Sequence, residues 1–168
     1  LALKAIKFTY RGKTAHASAS PEEGINALDA AINTFNNINA MREHLKKDAR
    51  IHGIISNGGE AANVVPDLAA ANFYIRAETK SYLNQLEEKL MNAAKGASIA
   101  AGTEFESSYY ETPCLNLITN QKLSEVYINN VREMGVREIY DNDKATGSTD
   151  AGDVSQVCPT IHPYFAIS

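Results

Sequence analysis

Ile6, Phe8 and Tyr10 lie between Ala5, Lys7 and Thr9, the two-residue period of a strand with one buried face, and Gly12 ends the run. Ser20-Pro21-Glu22-Glu23 then predicts a helix start, with Ser20 as N-cap, Pro21 at the first helical position and Glu23 closing a capping box. Behind it Ile25, Leu28, Ile32, Phe35 and Ile38 keep helical spacing, and Leu45 is in phase near the end. "RIHGIIS" at 50–56 predicts a second strand, and "NGGEAANVVPD" at 57–67 a long turn. In "LAAANFYIRAE", a third strand, Ala69, Ala71, Phe73 and Ile75 share one face, and Ala70, Asn72, Tyr74 and Arg76 the other. Ser81 can cap a second helix, in which Leu83, Leu86, Leu90 and Ala94 are in phase and which ends near Gly102. "TEFESSYY" predicts a fourth strand.

The order β-α-β-β-α-β over residues 3–110 is the split βαβ pattern of ferredoxin-like domains. It predicts an α+β fold, a four-stranded antiparallel sheet with both helices on one face. Pro113 marks a boundary, dividing the chain into residues 1–112 and 113–168. Beyond it Leu123, Tyr127, Val131 and Met134 predict a helix stopped by Gly135. The loop "DNDKATGSTDAGDVS" then leads to a last strand around Ile161 to Ile167. These two elements are too few to bury a core alone.

Composition narrows the function classes. With 168 residues, 44% of them hydrophobic, the chain can form a real core. A formal net charge of −4 argues against a nucleic-acid partner, which calls for a basic face. No apolar run reaches the length of a membrane span, and no signal-peptide pattern opens the chain. Cys114 and Cys158 lie far apart without metal-type spacing, so a reducing, cytoplasmic setting is the expectation. Both ends fall inside strand-like patterns, and the chain is therefore expected to be a fragment of a longer protein.

Candidate chemistry is sparse. His16, His44, His52 and His162 form no HxD, HExxH or HxxH pair, so no metal site is expected within these residues. His44 reads as a solvated helix residue and His52 as a strand-face residue. The pairs Glu22-Glu23 and Glu87-Glu88 read as helix-cap and helix-surface carboxylates. Around Ser148 there is no GxSxG elbow, and no GxGxxG motif occurs. Gly147, Ser148 and Thr149 precede a helix and can either cap it or cradle a carboxylate with free backbone N–H groups. By its residues alone, His16 in the small-residue loop "GKTAHASAS" is a surface histidine or one that something comes to meet.

Taken together, "FTYRGKTAHASASPEEGINALDA", "RIHGIISNGGEAANVVPD", "ANFYIRAET" and "TGSTDAGDVSQVCPTIHPYF" follow the order and spacing of the zinc-dependent aminoacylase/carboxypeptidase superfamily. The chain resembles its amidohydrolase branch, which holds the dipeptidase-like M20-domain proteins and the aminobenzoyl-glutamate utilisation hydrolase B subunit. The resemblance covers essentially all of the chain. It implies that residues 1–112 are a ferredoxin-like lid, inserted in a di-zinc catalytic domain and forming a homodimer, and that 113–168 are an incomplete α/β remnant of that domain.

The family's HxD segment and Glu-Glu base-and-ligand pair precede the lid and are absent here, and His162 does not match its metal-ligand position. The resemblance thus implies two zinc or other divalent ions in the parent and none in this chain. It implies that His16 crosses the dimer and hydrogen-bonds the carbonyl oxygen of the scissile amide, as an oxyanion donor worth about 3 kcal/mol of barrier. Asn63 would bind substrate main-chain groups, offering both donor and acceptor. Arg76 would meet a substrate carboxylate, although on its own it reads equally as a solvated strand-end residue. Gly147, Ser148 and Thr149 match the family's substrate-cradling loop. The expected substrate is an N-acyl amino acid, an aminobenzoyl-glutamate-like compound or a dipeptide. A stand-alone ferredoxin-like ligand-binding module, or a purely structural dimerisation module, is the alternative.

Overall fold

The alternation read from the sequence becomes β1 (Ala2–Arg11), in which Ile6, Phe8 and Tyr10 are buried while Lys7 is exposed. The computed structural model describes residues 1–140 and 147–165. The remaining elements are α1 (Ala27–Met41), β2 (Arg50–Asn57), β3 (Leu68–Ala77), α2 (Lys80–Ala101), β4 (Glu104–Tyr109), α3 (Gln121–Glu133) and α4 (Ala151–Val154). Four strands pair antiparallel in the order β2-β3-β1-β4. This is the ferredoxin-like sheet expected from the element order. Ala69, Ala71, Phe73 and Ile75 of β3 are buried, and so are Leu83, Leu86, Leu90 and Ala94 of α2. At the centre Phe73 packs between Phe8 and Phe35, with ring centroids 5.5 and 4.8 Å away. Burying each such ring contributes about 2 kcal/mol. Tyr10 takes its hydroxyl into this core because Thr34 Oγ1 meets it at 2.6 Å, while Thr34 itself donates to the Ala30 carbonyl at 2.9 Å.

Three element boundaries differ from expectation. Pro21–Glu23 forms only a single 3-10 turn, and Ser20 makes no capping bond. Gly24 is extended, and Ile25 pairs with Lys13 through two backbone hydrogen bonds of 2.9 Å. Asn26 caps α1 instead, its side chain accepting from the N–H groups of Leu28 and Asp29 at 2.9 and 3.3 Å. The strand-like pairing with residue 13 holds Ile25 outside the helix, so the local capping pattern loses to a long-range ladder. The buried face of α1 consequently runs through Ala27, Ala30, Ala31, Thr34 and Ile38, and Ile32 is left 42% exposed. Leu45 lies past the helix and a 3-10 turn, yet still packs on the core. Thr79, two residues before Ser81, caps α2 by accepting from the Tyr82 N–H. Gly102 ends α2 with φ +72°, a conformation in which glycine pays no Cβ penalty.

Beyond Pro113 the chain first attaches to the sheet: Leu3 and Cys114 exchange backbone hydrogen bonds of 2.9 and 3.1 Å. Segment 115–118 then lies against α4. Gly152 is required there, because a Cβ would sit 1.9 Å from the Leu115 carbonyl oxygen. Ser155 Oγ accepts from the Ile118 N–H at 2.9 Å. Helix α3 forms as expected, capped by Asn120 and followed by Gly135 at φ +94°, but buries none of its side chains. The expected last strand is a correction. Only Thr160 makes a bridge, parallel to Thr119, and 161–165 form no strand, there being no neighbouring strand among the described residues to pair with. Its last part, and 141–146 of the preceding loop, lie outside the described residues.

Candidate functional site

Two loops predicted to carry function are joined to each other. After β1, the chain turns past Gly12, whose N–H donates to the Asp67 carbonyl at 2.7 Å. A Cβ on Gly12 would lie 2.0 Å from the Ile25 carbonyl oxygen, so only glycine lets these segments cross. The Ala15-His16-Ala17 stretch then pairs antiparallel with Asn63-Val64-Val65: Ala17 N–H donates to the Asn63 carbonyl at 3.1 Å, and Val65 N–H to the Ala15 carbonyl at 2.9 Å. Pro66, whose carbonyl accepts from Ala27 N–H at 2.8 Å, ties the second loop to the start of α1. The two loops therefore form a short bridge beyond the end of the central β1–β3 pair.

His16 and Asn63 are both exposed at this bridge. The imidazole turns back over its own loop. Its Nδ1 receives the backbone N–H groups of Ser18 and Ala19, each at 3.3 Å, and Ser18 Oγ lies at the same distance. The small neighbours Ala15, Ala17, Ser18 and Ala19 leave the ring standing clear of bulky side chains.

Arg76 and the Gly147–Thr149 loop lie elsewhere. Arg76 is near the far end of β3, paired with Leu3 and Arg50, while Arg11, where the His16 loop departs, pairs with Leu68. Eight residue steps of strand separate Leu68 from Arg76, about 26 Å. The Arg76 guanidinium is 5.9 Å from the ring centroid of Tyr74, whose hydroxyl donates to Glu111. That bond, with burial, pushes the Tyr74 phenol up to about 12. Gly147 is at the same end: its carbonyl accepts from the Leu1 nitrogen at 2.8 Å, and the positive charge of Arg76 acts on that nitrogen. Thr149 Oγ1 accepts from the Ala151 N–H at 3.3 Å, while the N-cap of α4 is Asp150, which makes no side-chain cap bond. The Ser148 hydroxyl is buried without a hydrogen-bond partner among the described residues.

The six candidates thus form two groups at opposite ends of one sheet. The Tyr74-Glu111 pair beside Arg76 was missed, and its one signal was the position of Tyr74 on the same strand face. Glu87 departs from a simple surface carboxylate. It meets Lys4 at 2.5 Å and accepts from the Tyr109 hydroxyl, which is pushed up to about 12 by that bond and by burial. Among the described residues no three His, Cys, Asp or Glu side chains gather as they would around a metal ion. Two shallow grooves of about 300 and 250 Å³, one lined by Asn26, Asp29 and Ala100 and the other by Glu87, Met91 and Tyr109, include none of the six candidates.

Known proteins resemble this chain in sequence and fold. The profile of a peptidase dimerisation domain family matches residues 2–100. Xaa-Arg dipeptidase of Homo sapiens is 37% identical over 165 residues, covering 96% of this chain and 38% of its own length. A Haemophilus influenzae homolog of a p-aminobenzoyl-glutamate hydrolase subunit is 33% identical over 134 residues, 75% of this chain and 32% of that protein. Among solved structures, the aminobenzoyl-glutamate utilization protein from Klebsiella pneumoniae superposes with a TM-score of 0.72 at 24% identity, covering 90% of this chain and 39% of that one. This last likeness is one of fold. The chain spans less than two fifths of the length of these curated relatives.

Proposed function

Because the chain belongs to the M20 peptidase dimerisation domain family, we propose that it is the lid and dimer-forming part of a metal-dependent amidohydrolase. The bond cut is the amide of an N-acyl amino acid, an aminobenzoyl-glutamate-like compound or a dipeptide. The observation that carries this reading is the bridge that holds exposed His16 beside exposed Asn63. His16 supplies an N–H to the carbonyl oxygen of the scissile amide, where negative charge grows as the carbon is attacked. Asn63 holds the substrate main chain through its amide.

The separation of about 26 Å along β3 also supports action across a dimer. Within one chain His16 and Arg76 are too far apart for one small substrate, whereas a two-fold axis can set the His16 end of one protomer beside the Arg76 end of its partner. There Arg76 offers a planar fork to a substrate carboxylate, and Gly147–Thr149 offer polar groups, among them the Ser148 hydroxyl, which has no hydrogen-bond partner among the described residues. On this reading the metal ions are held by other parts of the parent. The free cysteines Cys114 and Cys158 suit a cytoplasmic, reducing location.

His16→Ala in the parent enzyme tests the reading. An interaction made mainly in the transition state lowers kcat by about 100-fold with little change in KM. Wild-type kcat in that variant sinks it.

A further inference from the structure

His16 is a histidine whose two ring nitrogens have unlike surroundings. Two backbone N–H groups, from Ser18 and Ala19, point at Nδ1 from 3.3 Å. A backbone N–H can only donate, so the nitrogen that receives it must present a lone pair. A proton on Nδ1 would set three N–H groups head to head. The Ser18 N–H has no other acceptor among the described residues, whereas that of Ala19 is shared with the His16 carbonyl at 3.2 Å. The arrangement inverts the commoner one, in which Nδ1–H donates to a carbonyl and Nε2 is left as the lone-pair nitrogen.

We propose that the Ala17–Ser20 turn is a tautomer clamp, with Ser18 as its positioning residue, fixing the neutral His16 ring with its proton on Nε2. The inference rests on the reading of His16 as a hydrogen-bond donor and deepens it. A clamped ring has only an N–H to offer outward, so it donates to an oxygen and does not ligate a metal through Nε2. It also has its direction set by main-chain atoms of its own loop, which is what a loop without bulky packing neighbours needs in order to aim a side chain. The serine hydroxyl, also 3.3 Å from Nδ1, is a supplementary donor.

The test is the 15N spectrum of the imidazoles in this 168-residue chain at a pH where the rings are neutral. The exposed His44, whose ring makes no hydrogen bond among the described residues, is the internal reference. The expected spectrum has His16 at least about tenfold in favour of Nε2–H, a larger bias than His44 shows. Ser18→Ala keeps the backbone donor and retains the bias. Ser18→Pro removes it and brings the ratio towards that of His44. A His16 ring protonated on Nδ1, or a wild-type ratio equal to that of His44, overturns the clamp without needing any variant to fold. The spectrum is independent of turnover: a parent His16→Ala enzyme with unchanged kcat would sink the catalytic reading and leave the tautomer assignment as measured.

Discussion

At Asn26 one side-chain oxygen decides where α1 begins, by accepting the N–H groups of both Leu28 and Asp29. Asn26→Ala should lower stability by about 1 kcal/mol. Ser20→Ala, at the more conspicuous capping pattern, should change it little, since Ser20 makes no cap bond. Urea midpoints of the two variants check this, and the reverse order would return the helix start to Ser20. Tyr10 carries a pH prediction. Burial pushes its phenol up to about 12 despite the hydrogen bond with Thr34, against 10.0 when exposed. The folded state thus holds the proton more tightly than the unfolded chain. Stability from this group is complete below pH 10 and is lost as pH rises towards 12. Tyr10→Phe should make the alkaline fall in urea midpoint shallower, and an unchanged slope would show that the phenol is not responsible. At this scale His16 stood out through its small-residue loop, whereas Asn63 was marked only by the family resemblance. Their direct backbone pairing was not legible, since it spans 47 residues of chain between Ala17 and Asn63.

Elements meet closely where glycine permits it. The crossing of 12–13 over 25 supports the His16 loop, and a methyl group on Gly12 has no space beside the Ile25 carbonyl. Gly12→Ala should cost about 2 kcal/mol by forcing the backbones apart. It should also broaden the His16 resonances as the bridge loosens. Gly96, within α2, has open space where a Cβ would go. Gly96→Ala should therefore raise stability by about 0.5–1 kcal/mol through helix propensity. Thermal or urea unfolding of the pair checks both signs, and a neutral Gly12→Ala would mean that the crossing is not tight. β1, β3 and α2 were readable because their hydrophobic period agrees with burial. The start of α1 and the last strand were misread for one reason. Each depends on whether a partner segment is present to pair with, and a local pattern carries no record of that.

The whole molecule is uneven. Residues 2–110 enclose the core, whereas the part beyond Pro113 leaves large apolar side chains in water: Met134 is 82% exposed, Val157 85% and Phe165 80%. Such surface asks for a cover, and a dimerisation-domain fold supplies a second reason to associate. Sedimentation of the chain should show a dimer at high concentration, with no stoichiometric zinc retained after dialysis. A persistent monomer would count against the cross-dimer role of His16, and one tightly held zinc per chain would contradict the assignment of the metal site to the rest of the parent.

By itself the sequence determined the βαββαβ order, the buried faces of β3 and α2 and the absence of metal-type spacing. These are properties of neighbours in the chain, where a side chain's hydrophobicity, its period and the short reach of a cap set the outcome. Only the tertiary structure decided that the His16 loop is bridged to Asn63, that helix α1 starts at Asn26, and that Arg76 and Gly147–Thr149 lie at the opposite end of the sheet from His16. Those arrangements are settled by strand register and by backbone hydrogen bonds between distant segments. Every amide can make such bonds whatever its side chain, so the sequence does not mark which ones will form.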